Sequence, residues 1–404
     1  MHAADPARPP AYMVVVLGLL TMFGPLSLDL YLPALPQLAD DLATSASAAQ
    51  LSITACLVGL ALGQLVAGPL SDRLGRRRPL IVGLLAYHLA SIACALAPSV
   101  EVLVALRLIQ GLAGAAGIVI SRAIARDLYS GRALMIFFSR LLLIAGLAPV
   151  IAPILGGQLS RIMDWRGIFL VLAGFGAVLL LAGWFGIRET LPPQRRVVGG
   201  FGRTLHDYNT LVHDRFFVGC ALSSGLAGAS MFAYIAGSTF VLQRIYGMSP
   251  QGFSLIFGCI SLGLVAAAQG GARLALVWPL TRVLALGLAI NLTGATALLI
   301  TVISGLPLAA LIGALVVMVC AVGVIFPTAN ALAMADYPDL AGTASSLQGL
   351  SQFVFGAIAA PLVGIAGEHT AVPLGIVTTS VSVCAMASFV SLVLPVVRAR
   401  IKNQ

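Results

Sequence analysis

Long stretches of Leu, Ala, Val, Ile and Gly run along this chain, broken by short polar turns, and within each stretch the apolar character is continuous rather than alternating. A helix needs about 20 apolar residues to cross a lipid core, whereas the strands of a membrane barrel show ~10-residue segments that alternate in polarity. The pattern therefore predicts bilayer-crossing helices, with spans near 12–36, 47–70, 79–98, 102–122, 133–159, 167–187, 216–242, 251–272, 280–303, 307–329, 341–365 and 372–396. The first run reads as a retained span rather than a secretion signal. It is long, carries Asp29 and three prolines, and lacks an evident small-residue cleavage site.

Composition points the same way. Of the 404 residues 59% are hydrophobic and only 9% charged, with a mean hydropathy of +1.03, which excludes a water-soluble domain. The formal charge of +9 is a topology signal, because positively charged loops stay on the cytoplasmic side. An even number of spans puts both termini on one side. Placing them in the cytoplasm gathers most of the arginines there, including Arg73, Arg76, Arg77, Arg78, Arg122, Arg126, Arg188, Arg195 and Arg196. Only Arg161, Arg166 and Arg244 then fall outside, with Arg107 and Arg140 within spans; no basic stripe supports nucleic-acid binding. The longest polar interruption, Arg188–Arg215, divides the spans six and six. It suggests an N-terminal bundle (1–190), a cytoplasmic linker (191–212) and a C-terminal bundle (213–404).

Charges inside spans carry the most functional information, since an uncompensated one costs ~2.5–3.5 kcal/mol even on a lenient insertion scale. Asp29 is the one acid well inside a span. At ~1.5 Å per residue it lies ~25 Å up an ascending helix from Tyr12, and Arg107 lies ~8 Å down a descending one. Both belong to the outer half, so they are placed to meet as a proton-coupling pair, each offsetting the other's desolvation. Plainer readings are a cap on the break made by Pro25, Pro33 and Pro36, and for Arg107 a side chain snorkelling to the interface. Tyr31, Gln110, Met231, Phe232, Tyr234, Asn330, Gln348 and Gln352 are candidate substrate-binding residues, each aromatic having plain packing as its alternative. A cavity of aromatics, amides and one acid suits a small amphiphile. The six cysteines lie in apolar runs without ligand spacing, so no metal site is expected. His88 stands alone in span 3, a core residue or a proton relay, and Arg140 has no assigned role.

The turn Gly68-Pro69-Leu70-Ser71-Asp72-Arg73-Leu74-Gly75-Arg76-Arg77-Arg78-Pro79-Leu80 resembles the pattern that the major facilitator superfamily carries between its second and third spans. Leu103–Ala116 is similar to that superfamily's fourth-span pattern, and Leu28-Asp29-Leu30-Tyr31-Leu32-Pro33-Ala34-Leu35-Pro36 resembles the first span of Bcr/CflA drug:proton antiporters. Further matches are Arg126-Asp127-Leu128-Tyr129, Trp165-Arg166 with Phe169, Tyr246-Gly247 with Ser249, and Ala341-Gly342-Thr343-Ala344-Ser345. Span 5 departs from the drug-antiporter pattern: Ala148 and Ala152 replace glycines, which loosens the expected close packing, while Pro153, Gly156 and Gly157 remain.

The resemblance implies an all-α membrane protein of the major facilitator fold, twelve transmembrane helices in two six-helix bundles. It implies proton-coupled efflux of chloramphenicol-like drugs from the bacterial cytoplasmic membrane, driven by the proton gradient without a cofactor, by a monomer embedded in lipid. It also implies a conformational latch built from Gly68, Asp72, Arg73, Gly75, Arg76 and Asp127. In that latch Asp72 meets the start of span 11 near Ala341–Thr343, and Arg73 or Arg76 engages Asp127. An exporter or importer of a small endogenous metabolite on the same fold is the alternative. A membrane enzyme finds no support, since the chain has no HExxH, nucleophile elbow or phosphate-binding glycine loop with a lysine.

Overall fold

A computed structural model describes residues 11–129, 131–196, 209–337, 340–365, 367 and 370–402. Helices stand at every expected span. Span 1 is broken into Ala11–Thr21, Phe23–Asp29 and Leu35–Asp41, with a 3-10 turn at Leu32–Ala34. Spans 2 to 6 are Ala46–Leu74, Arg77–Ala95, Val100–Leu128, Gly131–Leu159 and Trp165–Gly186. Spans 7 to 11 are Arg215–Phe240, Pro250–Leu274, Leu280–Ile303, Leu308–Ala335 and Ala341–Leu362. Span 12 is Val372–Ser388, continued as Leu394–Lys402 after a π-turn. Among the described residues 9 helices are long and apolar enough to cross a bilayer, or 10 with the bent first span counted. Spans 5 and 11 complete the set, the latter diluted by Ser345, Ser346, Gln348, Ser351 and Gln352.

Several helices overrun their apolar runs by a turn or more. Asp72 and Arg73 close span 2, and Arg126 and Asp127 close span 4. Hydropathy registers only the hydrocarbon part of a helix, while the hydrogen-bond ladder continues into the interface. The starts are set by local chemistry. Ser45, Asp164, Asp214 and Ser249 accept from the amides of Ala48, Gly167, Phe217 and Gly252, so each satisfies an orphan donor of its helix.

Within each half, glycines let helices cross at backbone distance. A Cβ on Gly59 would overlap the Leu108 carbonyl and one on Gly111 the Cys56 carbonyl, locking spans 2 and 4 together. Spans 8 and 10 repeat the device at Gly323, where a Cβ would overlap the Leu264 carbonyl. Polar pins add register: Asn291 donates to Met318 O at 2.9 Å and to Ser230, and accepts from Ser382 at 2.8 Å. These bonds join spans 7, 9, 10 and 12.

The halves touch along spans 2 and 11 and along spans 5 and 8. Their polar bonds cluster, among the described residues, on the face opposite the termini. Gln50 Nε2 donates to Ala236 O at 3.1 Å, Ser47 Oγ to Pro361 O at 3.3 Å, and Gln251 Nε2 to Gly157 O at 2.9 Å. The most telling join is made by the prolines of span 1. In the 3-10 turn Ala34 N bonds Tyr31 O and Leu35 N bonds Leu32 O. The next bond of that ladder would run to Pro33 O, but Pro36 has no N–H. Gln243 Nε2 supplies it from across the interface at 3.0 Å, and Arg244 reaches Pro36 O at 3.2 Å and the Asp40 carboxylate. Both side chains ride on a π-turn, Val241–Ile245, that ends span 7.

Replacing Gly111 with Val is expected to lower the thermal stability of the purified protein in detergent by about 1–3 kcal/mol, the usual cost of overpacking. Gly174→Val, where nothing lies within 4 Å of the position, should leave the melting profile unchanged. Equal melting of the two variants would contradict the backbone contact between spans 2 and 4.

Candidate functional site

Arg107 is completely buried, yet its partners are neutral. Its Nη2 donates to Ser27 O at 2.6 Å, Nη1 to Gln110 Oε1, and Nε to Ser52 O at 3.4 Å. The guanidinium lies 4.6 Å from the centre of the Tyr31 ring and 5.4 Å from that of Phe169. Carbonyl dipoles and two aromatic faces thus take the place of a counter-ion. The surrounding bonds are also made: Gln110 donates to Ser91 at 2.7 Å, Ser91 to Tyr87 O at 2.7 Å, Tyr87 meets Ser27 at 2.7 Å, and Tyr31 meets Ser52 at 2.9 Å. Spans 1, 2, 3, 4 and 6 are therefore tied to one cation.

This corrects three expectations. Arg107 does not pair with Asp29; it takes the Ser27 carbonyl in the last turn before the break, where a helix end leaves acceptors unfilled. Tyr31 and Gln110, expected at the substrate, belong instead to the satisfied network that holds the N-terminal half together.

Asp29 is the only buried acid among the described residues. It ends the Phe23–Asp29 helix, and its Oδ1 has no hydrogen-bond partner. Further unpartnered buried atoms are Gln50 Oε1, Thr54 Oγ1, Tyr234 OH, Ser238 Oγ, Thr239 Oγ1 and Asn330 Oδ1. Most of them gather on facing spans. Gln50 and Thr54 are one turn apart on span 2, Tyr234 and Ser238 one turn apart on span 7, and the Gln50 bond to Ala236 O sets the two pairs beside each other. Asp29 lies within electrostatic range of the Tyr234 hydroxyl. Buried polar atoms are normally paired, so this set offers hydrogen-bonding capacity to water or to a guest. Gln50, Thr54 and Ser238 are not among the residues that the sequence singles out, although each pair's spacing of four residues puts it on one helix face.

The remaining candidates divide. Tyr234 stacks on Phe257 at 5.1 Å, and Phe232 packs on Phe353 at 5.9 Å. Gln348 is engaged, donating to Ala329 O at 3.2 Å and accepting from Ser224 at 2.6 Å, so it pins spans 7, 10 and 11. Met231, Asn330 and Gln352 are half-buried. His88 meets Ala173 O at 2.9 Å, a bond that serves helix packing. Arg140 is exposed on span 5.

Span 5 bridges the two halves. Pro149 and Pro153 lie inside its helix, and Ala148 and Ala152 are completely buried, so the two extra methyl groups are accommodated. A Cβ on Gly156 would overlap the Leu30 carbonyl, next to Asp29; one on Gly157 would overlap Ser254 of span 8. Trp165 donates to Asp41 at 3.0 Å, and Arg166 caps the end of span 3 through Ala95 O and Ala97 O, both at 2.8 Å.

On the face of the termini, Arg76 binds Asp127 at 2.8 Å and also Asp72. Burial works against the Arg76 charge and is outweighed by these two carboxylates, which raise its proton affinity. Asp72 thus finds its partner within its own half, because the chain reverses at Gly75 and brings Arg76 back over the end of span 2. Of the expected contact with Ala341–Thr343, the side chains of Ala341 and Gly342 lie outside the described residues. Glu189, after span 6, accepts from the amides of Arg76 at 2.8 Å and Leu191 at 3.0 Å, and from Arg77. It thereby caps span 3 from a distant part of the chain. Gly75 has φ +91°, and a side chain there would meet the Glu189 carboxylate.

Comparison with known proteins agrees with this architecture. Residues 17–361 match the family model described as Major Facilitator Superfamily. The uncharacterized MFS-type transporter YdgK of Bacillus subtilis is 40% identical over 384 residues, covering 94% of this chain and 95% of that protein. The chloramphenicol resistance protein of Pseudomonas aeruginosa is 34% identical over 294 residues, covering 72% and 68%. Among solved structures, a single-residue mutant of the nucleoside transporter NupG superposes with a TM-score of 0.76 at 12% identity over 94% of this chain and 99% of that one, a likeness of fold.

Partial burial pushes the Glu189 carboxyl up, but the amides of Leu191, Arg76 and Arg77 and the Arg196 guanidinium outweigh it and hold the group below its ordinary value of 4.5. A carboxyl lowered on folding contributes stability that is full above its unfolded value and is lost as pH falls through its folded value. Amide exchange at Arg76, Arg77 and Leu191, corrected for its intrinsic pH dependence, is therefore expected to be slow at neutral pH and to accelerate below the ordinary carboxyl value. Glu189→Ala should show the fast exchange already at neutral pH. Unchanged protection in that variant would refute the cap.

Proposed function

The chain belongs to the Major Facilitator Superfamily, and we propose that it is a proton-coupled exporter of small amphiphilic antibiotics, chloramphenicol-like drugs first among them, across the bacterial cytoplasmic membrane. Family and fold are those of membrane transporters, not enzymes. The carrying observation is Asp29, a buried acid at a helix break with Oδ1 unpartnered, while the bonds of Arg107 run to Ser27, Ser52 and Gln110. The similarity to a chloramphenicol resistance protein supports the substrate class.

An ionised carboxylate enclosed without counter-charge costs several kcal/mol. With Arg107 committed to Ser27, Ser52 and Gln110, a proton is the compensation left to Asp29. A drug that brings polar groups to Gln50, Thr54, Tyr234 and Ser238 arrives beside that carboxyl and supplies an alternative partner, so drug binding favours proton release. The coupling is reciprocal: protonation must weaken drug binding by the same factor. With the termini in the cytoplasm, the polar joins between the halves close the outer face, and the drug loads from within. Export then requires the bonds of Gln243 and Arg244 to the span 1 prolines to part. Gly156–Gly157, wedged between Leu30 and Ser254, passes the rocking of the halves to the Asp29 segment. Each proton that enters gains ~2.3 kcal/mol per 100 mV of membrane potential.

Cells expressing the wild-type protein are expected to tolerate chloramphenicol better than cells without it, within a panel of antibiotics, and Asp29→Asn should abolish the protection while the protein still reaches the membrane. In inverted vesicles an imposed pH gradient should drive drug uptake by the wild type and none by the Asn variant. Undiminished gradient-driven uptake by Asp29→Asn would sink the proton role, and protection against no member of the panel would sink the drug assignment.

A further inference from the structure

Away from the interface between the halves, spans 2, 3 and 4 leave a groove of about 280 Å³ on the outer surface of the N-terminal half. Its floor is made of small residues, Gly63, Ala67, Gly83 and Ala113, and its walls include Val66 and Ile109. The groove follows span 2 from Gly63 to Leu74, ~16 Å at ~1.5 Å per residue. It does not communicate with the Asp29 region, because behind it a Cβ on Gly63 would already overlap the Leu112 carbonyl of span 4. Val66, Val82 and Ile109 are exposed at its rim, and in a membrane-spanning bundle that exposure is to hydrocarbon.

One charged residue lines the groove, Arg78, at the end nearest the termini. Its neighbours in the triple arginine are engaged: Arg76 holds Asp72 and Asp127, and Arg77 donates to Trp184 O at 2.8 Å and Ile187 O at 3.1 Å. Arg78 is exposed and has no ionic or hydrogen-bonding partner among the described residues. A chain-shaped apolar slot that opens to the bilayer and ends at a free guanidinium matches one kind of occupant in both parts.

We propose that the groove seats an anionic phospholipid, with one acyl chain along Gly63–Leu74 and the phosphate on Arg78. The slot excludes a water-soluble ligand, since its body is apolar. A guanidinium at the level where span 3 begins meets the lipid phosphates, which it binds through paired N–H donors. A lipid bound there bridges spans 2 and 3 across the turn that carries Arg76. The inference rests on the membrane-spanning fold alone and is independent of the drug reading.

Purified protein would be titrated with phosphatidylglycerol and, separately, phosphatidylethanolamine, with bound lipid counted by native mass spectrometry in the absence of drug. The wild type is expected to favour phosphatidylglycerol about fivefold, the effect of one basic side chain at a membrane surface. Arg78→Gln should lose that preference, and Arg161→Gln, which removes the same charge from the opposite face, should keep it. Ala86→Trp, which fills the groove without altering charge, should reduce binding of both lipids. Equal binding of the two lipids by the wild type, or a preference that survives Arg78→Gln, would overturn the proposal.

Discussion

The bond from Arg107 to the Ser27 carbonyl organises the whole N-terminal half. A helix that stops inside a membrane exposes carbonyl oxygens that lipid cannot satisfy, and a guanidinium in the same place needs acceptors just as urgently. Each removes the other's cost. Ser52 O, Gln110 and the faces of Tyr31 and Phe169 complete the shell. The segment that leads into the break of span 1 is thereby fixed at Ser27, two residues before Asp29, whose carboxyl is delivered to the interface between the halves with no cation of its own.

The two faces of the molecule are built on different principles. Away from the termini, bonds run between the halves onto backbone carbonyls, one of which, Pro33 O, is left open because Pro36 has no N–H. Such bonds can part without unfolding either half, because no helix ladder is lost when they break. Near the termini, the Arg76, Asp127 and Glu189 bonds stay within one half and hold spans 2, 3, 4 and the segment after span 6 as one piece. Gly156 and Gly157 join the halves, since their backbones touch span 1 on one side and span 8 on the other.

Much of the site is written in residue types and spacing. Asp29 stands out because acids are rare in apolar runs, the turn at 68–80 because its charges and glycines are in register, and the Arg76–Asp127 contact because the resemblance points to it. Partnership is harder to read. Equal depth suggests that Asp29 and Arg107 meet, but depth along two helices says nothing about the rotation of each about its axis, and rotation sends Arg107 to a carbonyl. Tyr31, Gln110 and Gln348 carry the same chemistry whether they line a cavity or pin helices, and the pins win because partners lie within reach. Gln50, Thr54 and Ser238 escape notice in the sequence since lone hydroxyls and amides are common in membrane helices, where they often bond to their own backbone.

Residue order alone dictates that the chain is a helical membrane protein, where its spans run and which acid is stranded in the apolar interior. Those properties follow from transfer free energy and local ladder chemistry, which act residue by residue. Which side chains are spent and which are left open is settled by the packing of the helices. That depends on what each face meets across a gap, as when Gln243 finds the carbonyl that Pro36 cannot serve, and no periodicity in the chain records the rotation of its neighbour.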